Sequence, residues 1–373
     1  KPVFSSLWVW GLNAHGKLGL NQGSGQLTGM SSPTQIPGTN WRSGGLDGDN
    51  GIATKTDGTL WSWGENQYGQ LGINDRASRS SPTQIPGTTW SDEINIEGGE
   101  GGSNAVKTDG TLWVWGRNDY GGLGVNNRTH YSSPVQVPGT TWNTAANTLV
   151  ASSEQRMLGI KTNGTLWAWG RNQNGNLGQN QGSSTNISSP VQIPGTTWAR
   201  VTVSAQQTMA TKTDGTLWIW GSNINGALGQ NQTGNPTSRS SPVQIPGTTW
   251  STGEHKMSNG SNSSFAIKTD GTLWTWGTNY LGVLGQNSDG SYNGTGDRSS
   301  PVQIPGTTWS TVTIGLYAVV ARKTDNTLWS WGYNGRGQLA QNNRTYYSSP
   351  VQIPGTTWSK TSSGNYNNSA IKE

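Results

Sequence analysis

The chain repeats one phrase seven times, and that repetition constrains its fold more than any other feature. The phrase reads most cleanly from Lys107 to Trp142. There Lys-Thr-Asp-Gly-Thr-Leu-Trp-Val-Trp-Gly runs through Gly-Gly-Leu-Gly to Ser-Ser-Pro-Val-Gln-Val-Pro-Gly-Thr-Thr-Trp. Its first tryptophan recurs at Trp8, Trp61, Trp113, Trp167, Trp218, Trp274 and Trp329, a spacing of 51 to 56 residues. A fixed period of that size marks units that bury their faces against their neighbours.

Length without the repeat would suggest two or three domains. Seven similar units in 373 residues read instead as one closed or stacked domain over residues 1–373 with a large total core. Only 12% of the residues are charged, and no apolar run approaches the roughly 20 residues of a membrane helix, so a soluble chain without membrane insertion is expected. The lack of cysteine removes disulfides, thiol nucleophiles and thiolate metal sites together. A net charge of +5 hints at nucleic acid, but seven of the 24 basic residues are the lysines of the phrase: Lys55, Lys107, Lys161, Lys212, Lys268, Lys323 and Lys372. Five matching aspartates partly cancel them, and without both sets 17 basic residues face 14 acidic ones with no basic run. That balance argues against a nucleic-acid partner. No Met opens the chain and no positive-then-apolar segment follows Lys1, so a processed protein or part of something longer is expected.

Strands explain the unit better than helices. In Ala105 to Trp115 two short runs flank Asp109-Gly110, and such a pair is a strong hairpin signal because both residues tolerate positive φ. Asn163-Gly164 and Asp325-Asn326 take the same place in two other units. Alternation puts Trp113 and Trp115 on one face and Leu112 and Val114 on the other, which suits a strand buried between neighbouring sheets. The Ser-Ser-Pro-(Val/Thr)-Gln-(Ile/Val)-Pro-Gly stretch fits an outer edge strand, because proline cannot serve a central one. A fourth run, clear at Ile94 to Ile96, Val201 to Val203 and Val312 to Ile314, suits a strand with one side on a narrow channel. In chain order these are strand A (Trp198 to Val203 in one unit), strand B (Met209 to Thr213), strand C (Thr216 to Gly221) and strand D (Ser241 to Pro246). Four antiparallel strands, seven times over, predict an all-β, seven-bladed β-propeller. The chain starts within strand C at Ser6 to Gly11 and stops after strand B at Ser369 to Lys372. N-terminal strands C and D are therefore expected to pair with C-terminal strands A and B and close the ring.

The run from Leu60 to Gly72, Leu-Trp-Ser-Trp-Gly-Glu-Asn-Gln-Tyr-Gly-Gln-Leu-Gly, is followed by a proline, a tryptophan-terminated turn and Ala-x-Lys-Thr-Asp-Gly. This pattern resembles the regulator of chromosome condensation repeat, and the likeness covers the whole chain. The resemblance implies a seven-bladed propeller. Its eukaryotic founding member is a nucleotide-exchange factor for a small GTPase that also docks on chromatin; propeller-type β-lactamase inhibitory proteins from bacteria share the fold. Relatives also include bacterial, phage and surface proteins. In this chain the Gly-x-x-His-(Ser/Thr) that commonly precedes strand B in the family is replaced in every unit, and no basic tail is present. A bacterial or phage-type member is therefore expected rather than the eukaryotic exchange factor.

In an up-and-down blade the B–C and D–A turns share one side of the disc, and the A–B and C–D connections share the other. The first side is short and uniform here, whereas the second varies from unit to unit, and recognition concentrates on variable loops of a rigid scaffold. All 21 tryptophans sit at repeat positions and read as core, while all ten tyrosines fall in the variable segments. Tyr68, Tyr120, Tyr280 and Tyr333 lie in or beside the Gly-rich turn and read as loop packing. Tyr131, Tyr292, Tyr317, Tyr346 and Tyr347 are the better candidates for partner contact. Arg76, Arg79, Arg128, Arg298 and Arg344, with Arg239, approach the same rim and complete a plausible contact surface. Asp47, Asp49, Glu97 and Glu100 are candidates for an acidic patch near the channel.

Catalytic and metal signatures are poor. His15, His130 and His255 occupy non-equivalent places, so no histidine metal site is expected. The run from Asp289 to Gly294 echoes the start of a calcium loop, but its twelfth position is Ser300 rather than Glu. No cofactor is expected. The sequence thus reads as a non-enzymatic binding or structural propeller that recognises a protein or glycan through its variable loop face. Low charge and an abundance of Asn, Gly, Thr and Trp suggest an extracellular, cell-surface or virion component, part of a larger assembly. Two alternatives remain: a regulatory protein, either exchange factor or enzyme inhibitor, and a carbohydrate-active enzyme, which would need paired carboxylates about 5 to 9.5 Å apart.

Overall fold

The computed structural model describes residues 5–22, 29–47, 49–91, 102–144, 149–151, 155–182, 185–234, 237–260, 262–288, 296–364 and 366–372. The fifth blade shows the pattern in full: Trp198–Val203, Gln207–Lys212, Leu217–Gly221 and Arg239–Ile245 pair in that order as an antiparallel sheet. Six sheets have four described strands each; the third blade has Gly102–Val106, Leu112–Gly116 and Tyr131–Gln136, with Trp90 bridged to Lys107. Together they form the expected seven-bladed propeller. Ser6–Gly11 pairs with Asn367–Lys372, Ser6 opposite Lys372 and Gly11 opposite Asn367, so the two ends of the chain share the closing blade.

Turn chemistry explains the B–C hairpin. Asp214 Oδ1 accepts hydrogen bonds from the Thr216 amide (3.0 Å) and hydroxyl (2.7 Å), and that hydroxyl accepts one from Trp218 Nε1 (2.9 Å). Gly215 turns the chain at φ +78°, a value that costs glycine nothing. Asn163 builds the same relay with Thr165 and Trp167, so a neutral amide oxygen suffices. Beside each turn the phrase lysine lies over two indoles: Lys212 Nζ is 4.8 Å from the Trp198 ring and 4.1 Å from the Trp218 ring. The arrangement recurs in all seven blades. It explains why the first tryptophan of strand C is only half-buried, while the second is fully enclosed.

Neighbouring blades are stitched by residues of the phrase. The second tryptophan of each strand C donates Nε1–H to a backbone carbonyl of the preceding Gly-rich turn. Trp63 reaches Lys17 (2.8 Å), Trp115 reaches Gln70 (2.9 Å), Trp220 reaches Asn176 (3.0 Å) and Trp331 reaches Val283 (2.8 Å). Trp169, Trp276 and Trp10 do the same to Gly122, Ala227 and Gln338. The turn itself is braced by the asparagine after Trp-Gly, whose Oδ1 accepts the amide of the Leu-Gly leucine, as in Asn66 with Leu71 (2.9 Å). A second stitch runs along the outer edge, where Asn74, at φ +65°, donates its amide to the Ser132 carbonyl of the next blade (2.8 Å) and its side chain meets Ser133. Each such bond contributes about 1 kcal/mol net.

Strand D departs from expectation at its start. In the fifth blade it begins at Arg239 rather than Ser241, because a bulge between Ile219 and Gly221 brings Gly221 opposite Arg239.

Candidate functional site

On the side of the disc that carries the A–B and C–D connections, adjacent blades meet at fixed positions. The residue after Trp-Gly in one blade lies against the Gly-rich turn of the blade before it. Arg117 therefore stacks over Tyr68 at 4.8 Å, Arg171 stacks over Tyr120 at 4.9 Å, and Asn225 Nδ2 donates to Thr278 Oγ1 at 3.2 Å. The same junction is charged in one sector of the face and aromatic in another.

The aromatic sector spans the sixth, seventh and closing blades. Tyr280, in the Gly-rich turn of the sixth, packs edge-on to Tyr317 of the next A–B connection, with ring centroids 4.9 Å apart. Tyr333, directly after the seventh Trp-Gly, lies 5.0 Å from Tyr346 and 6.1 Å from Tyr366. Burial pushes the Tyr346 phenol up, and Tyr333 and then Tyr280 add to the effect. Tyr346 nevertheless keeps 47% of its surface exposed, which makes it the open edge of a five-tyrosine cluster. Offset and edge-on ring pairs of this kind hold a rigid surface with little entropy left to lose on binding.

The charged sector spans the closing blade to the fourth. Lys17 is buried to 1% of its surface and places Nζ 3.2 Å from Asp49 Oδ1. Burial pushes the nearby Glu65 carboxyl up, with Asp49 reinforcing the shift. Farther round, Arg117 Nε meets Asp119 at 2.6 Å and His130 Nε2 lies 3.4 Å from the same carboxylate. His130 Nδ1 accepts the Asn118 amide (3.0 Å), so its proton sits on Nε2, facing Asp119. Burial pushes the Asp119 carboxyl up, but the hydrogen bond and charge of Arg117 outweigh it, aided by Gln155 and His130, and the net position is below the usual carboxylate range. Among the described residues no group of three or more His, Asp or Glu side chains is arranged to hold a metal.

The candidates from sequence separate into three groups. Tyr317 and Tyr346 join the aromatic cluster. Tyr131 and Tyr347 instead open strand D, pack against buried cores, and accept side-chain bonds from Asn127 (3.0 Å) and Asn343 (3.1 Å). Arg79 folds back on its own loop, 2.6 Å from Asp75, while Arg239 and Arg298 donate to carbonyls just before them. Arg76, Arg128 and Arg344 are exposed and make no hydrogen bond or ion pair among the described residues. Asp49 is the partner of Lys17. Tyr292, Glu97, Glu100, the Asp47 side chain and the Asp289 to Gly294 run lie outside the described residues. Tyr280 and Tyr333, read from sequence as loop packing, are members of the cluster. The signal that marks Tyr333 is its place directly after Trp-Gly, the place Arg117 and Arg171 hold in their own blades, while Tyr280 meets Tyr317 of the next A–B connection.

Comparison with known proteins bears on the fold. Residues 57–103, 109–149, 163–211, 214–267 and 325–371 match the regulator of chromosome condensation (RCC1) repeat, and 148–176 match a second form of it. The chain belongs to this repeat family. Among relatives of the RCC1-repeat chain, the ultraviolet-B receptor UVR8 of Arabidopsis thaliana is 28% identical over 240 residues, 64% of this chain and 53% of the receptor. The probable E3 ubiquitin-protein ligase HERC4 of Homo sapiens is 25% identical over 191 residues, 51% of this chain but 18% of the ligase. The chain thus spans about half of one curated relative and under a fifth of the other. In structure it is similar to human WBSCR16, with TM-score 0.81 and 18% identity over 99% of both chains. It is also similar to yeast RCC1 (Prp20) solved bound to Kap60, with TM-score 0.82 and 18% identity, covering 98% of this chain and 88% of that one. At that identity the likeness concerns the fold.

Proposed function

We propose that this RCC1-repeat propeller is a non-enzymatic binding protein that engages a protein partner through the aromatic sector of its loop face. The observation that carries the reading is the cluster of Tyr280, Tyr317, Tyr333, Tyr346 and Tyr366, gathered from three blades with Tyr346 at its open edge. Rigid aromatic groups on a fixed scaffold are the usual energetic centres of protein interfaces. Relatives support a protein partner: yeast RCC1 has been solved with Kap60, and Prp20p was studied for binding to Gsp1p and histones. The bacterial or phage-type origin and the extracellular, cell-surface or virion setting belong to the same proposal and rest on composition. Locating the protein on purified particles or cells tests them.

The decisive test is side-specific. A photo-reactive residue at position 346 should cross-link the partner, and one at position 214, on the uniform turn side, should not. Tyr317→Ala combined with Tyr346→Ala should weaken binding at least tenfold with an unchanged fold. Cross-linking from position 214 alone would overturn the assignment. A regulatory reading is favoured by the receptor UVR8 among the relatives; stimulated nucleotide release from a GTPase, or inhibition of an enzyme, by the purified chain would select it.

A further inference from the structure

Several arginines on the loop side are engaged within the molecule. Arg79 meets Asp75 and Arg117 meets Asp119, both at 2.6 Å, while Arg239 and Arg298 donate to carbonyls of their own loops. Arg336 and Arg344 differ. Both are exposed, and neither guanidinium has a hydrogen bond or ion pair among the described residues. Both also border the tyrosine cluster. Asn334, which directly follows Tyr333, donates Nδ2–H to the carbonyls of Asn343 and Thr345, each at 3.0 Å, and so clamps the backbone on either side of Arg344, two residues before Tyr346. Asn343 Oδ1 accepts the Thr345 amide at 2.9 Å and fixes the same turn. Arg336 follows Gly335, which lies so close to the Tyr333 hydroxyl that a Cβ there would collide with it, and the Arg336 amide is held by Gln338 Oε1 at 2.8 Å. At the opposite end of the cluster, beside Tyr280, Asp297 Oδ1 accepts the Asn279 amide at 2.7 Å. Two fixed backbone points thus present two uncompensated cations beside a rigid aromatic surface.

We infer that the segment docking on the tyrosine sector is an acidic peptide of the partner, with carboxylates on Arg336 and Arg344 and an apolar side chain on Tyr346. The inference rests on the loop-face reading and gives that partner a charge. A guanidinium pairs with a carboxylate through two parallel charge-assisted bonds, and complementary charge selects which partner docks. A basic segment would face two like charges, and a neutral one would strip water from two guanidinium groups without replacing it. Single-stranded nucleic acid also combines rings with cations, but it uses a basic groove that follows its backbone, and two arginines at one end of the cluster do not make one. Arg76 and Arg128 hold the same loop position in the second and third blades and are equally exposed. There, however, Tyr68 and Tyr120 lie under Arg117 and Arg171, so those blades serve as an internal control.

The experiment selects a random linear peptide library, displayed on phage, against the full chain; binders that are lost on Tyr346→Ala are then synthesised and titrated. Those peptides should carry Asp or Glu. Their affinity should fall about tenfold or more when Arg336→Glu and Arg344→Glu are combined, and should fall with added salt. Replacing the acidic residues of the peptide by Lys should recover binding to that variant. Arg76→Glu combined with Arg128→Glu should leave affinity unchanged, and both double variants should melt like the parent, because these side chains hold nothing in the fold. Neutral or basic peptides that depend on Tyr346, indifference to the reversal at 336 and 344, an equal loss from the reversal at 76 and 128, or equally tight Tyr346-dependent binding of oligothymidine would each overturn the inference while leaving the sector a binding surface. A library without any Tyr346-dependent binder would instead remove the sector as the interface, and the inference with it.

Discussion

Trp10 donates its indole N–H to the carbonyl of Gln338 at 2.9 Å, joining residues 328 positions apart. This is the same stitch that joins every other pair of neighbouring blades, formed here between the two ends of the chain. Asn368 Nδ2 shares the carbonyl at 2.6 Å, so the acceptor keeps a partner if the indole is removed. Trp10→Phe should therefore destabilise the protein by about 1 to 3 kcal/mol, from one lost bond and a small cavity. Chemical denaturation measures it; no loss of stability would show that the closing blade does not carry the ring.

Acid should loosen the turns on the uniform side. The Thr hydroxyl first, then its amide, hold the carboxyls of Asp57, Asp109, Asp214, Asp270 and Asp325 below the usual range. A folded-state pKa that lies below the unfolded one gives stability that is complete above the unfolded value, near 4. It is lost as pH falls through the folded value. Converting all five to Asn, the residue the fourth blade already uses, should flatten the dependence of melting temperature on pH below about 4. An unchanged acid slope would exclude these turns as its source.

Two glycines make a paired test of backbone constraint. Gly277 has φ +96°, and a Cβ there would lie 2.0 Å from the Asn262 carbonyl oxygen. Gly182 has nothing within 4 Å of the same point. Gly277→Ala should cost about 2 kcal/mol or more, while Gly182→Ala should be neutral or slightly stabilising. Comparable effects at both sites would contradict the close approach at Gly277.

Tyr131→Phe discriminates a structural tyrosine from a contact one. It removes the bond from Asn127 and should lower stability by about 0.5 to 1.5 kcal/mol without changing partner affinity. Tyr346→Phe should do the reverse. A binding defect in Tyr131→Phe would return that residue to the contact surface.

The architecture was legible because the phrase encodes local chemistry. Asp214-Gly215-Thr216 contains all the groups of its own turn, and the prolines of strand D state their own edge position. The closure could be read from the half-units at Ser6 and Lys372. What escaped was contact between units. That Trp115 bonds to Gln70, or that Arg117 stacks over Tyr68, depends on how far one blade rotates past the next, and no residue type announces that angle. The tyrosines illustrate it. The sequence reads Tyr280 as loop packing and Tyr131 as a contact, yet Tyr280 faces Tyr317 across a blade junction and Tyr131 lies along its own sheet. Arg79, Arg239 and Arg298 looked free because the loop carbonyls that absorb them carry no sequence signature.

The stitch that Trp10 makes has a further meaning for the history of such rings. Every blade gives one indole donor backward and offers one carbonyl forward, so a ring of any size has as many bonds as blades and no unmatched partner. Hydrogen bonding therefore cannot count. The number seven must be enforced by shape, through the taper set by leucine and tryptophan side chains between sheets. A duplicated or deleted unit would find its bonds waiting and would be judged only on whether the wedge still closes.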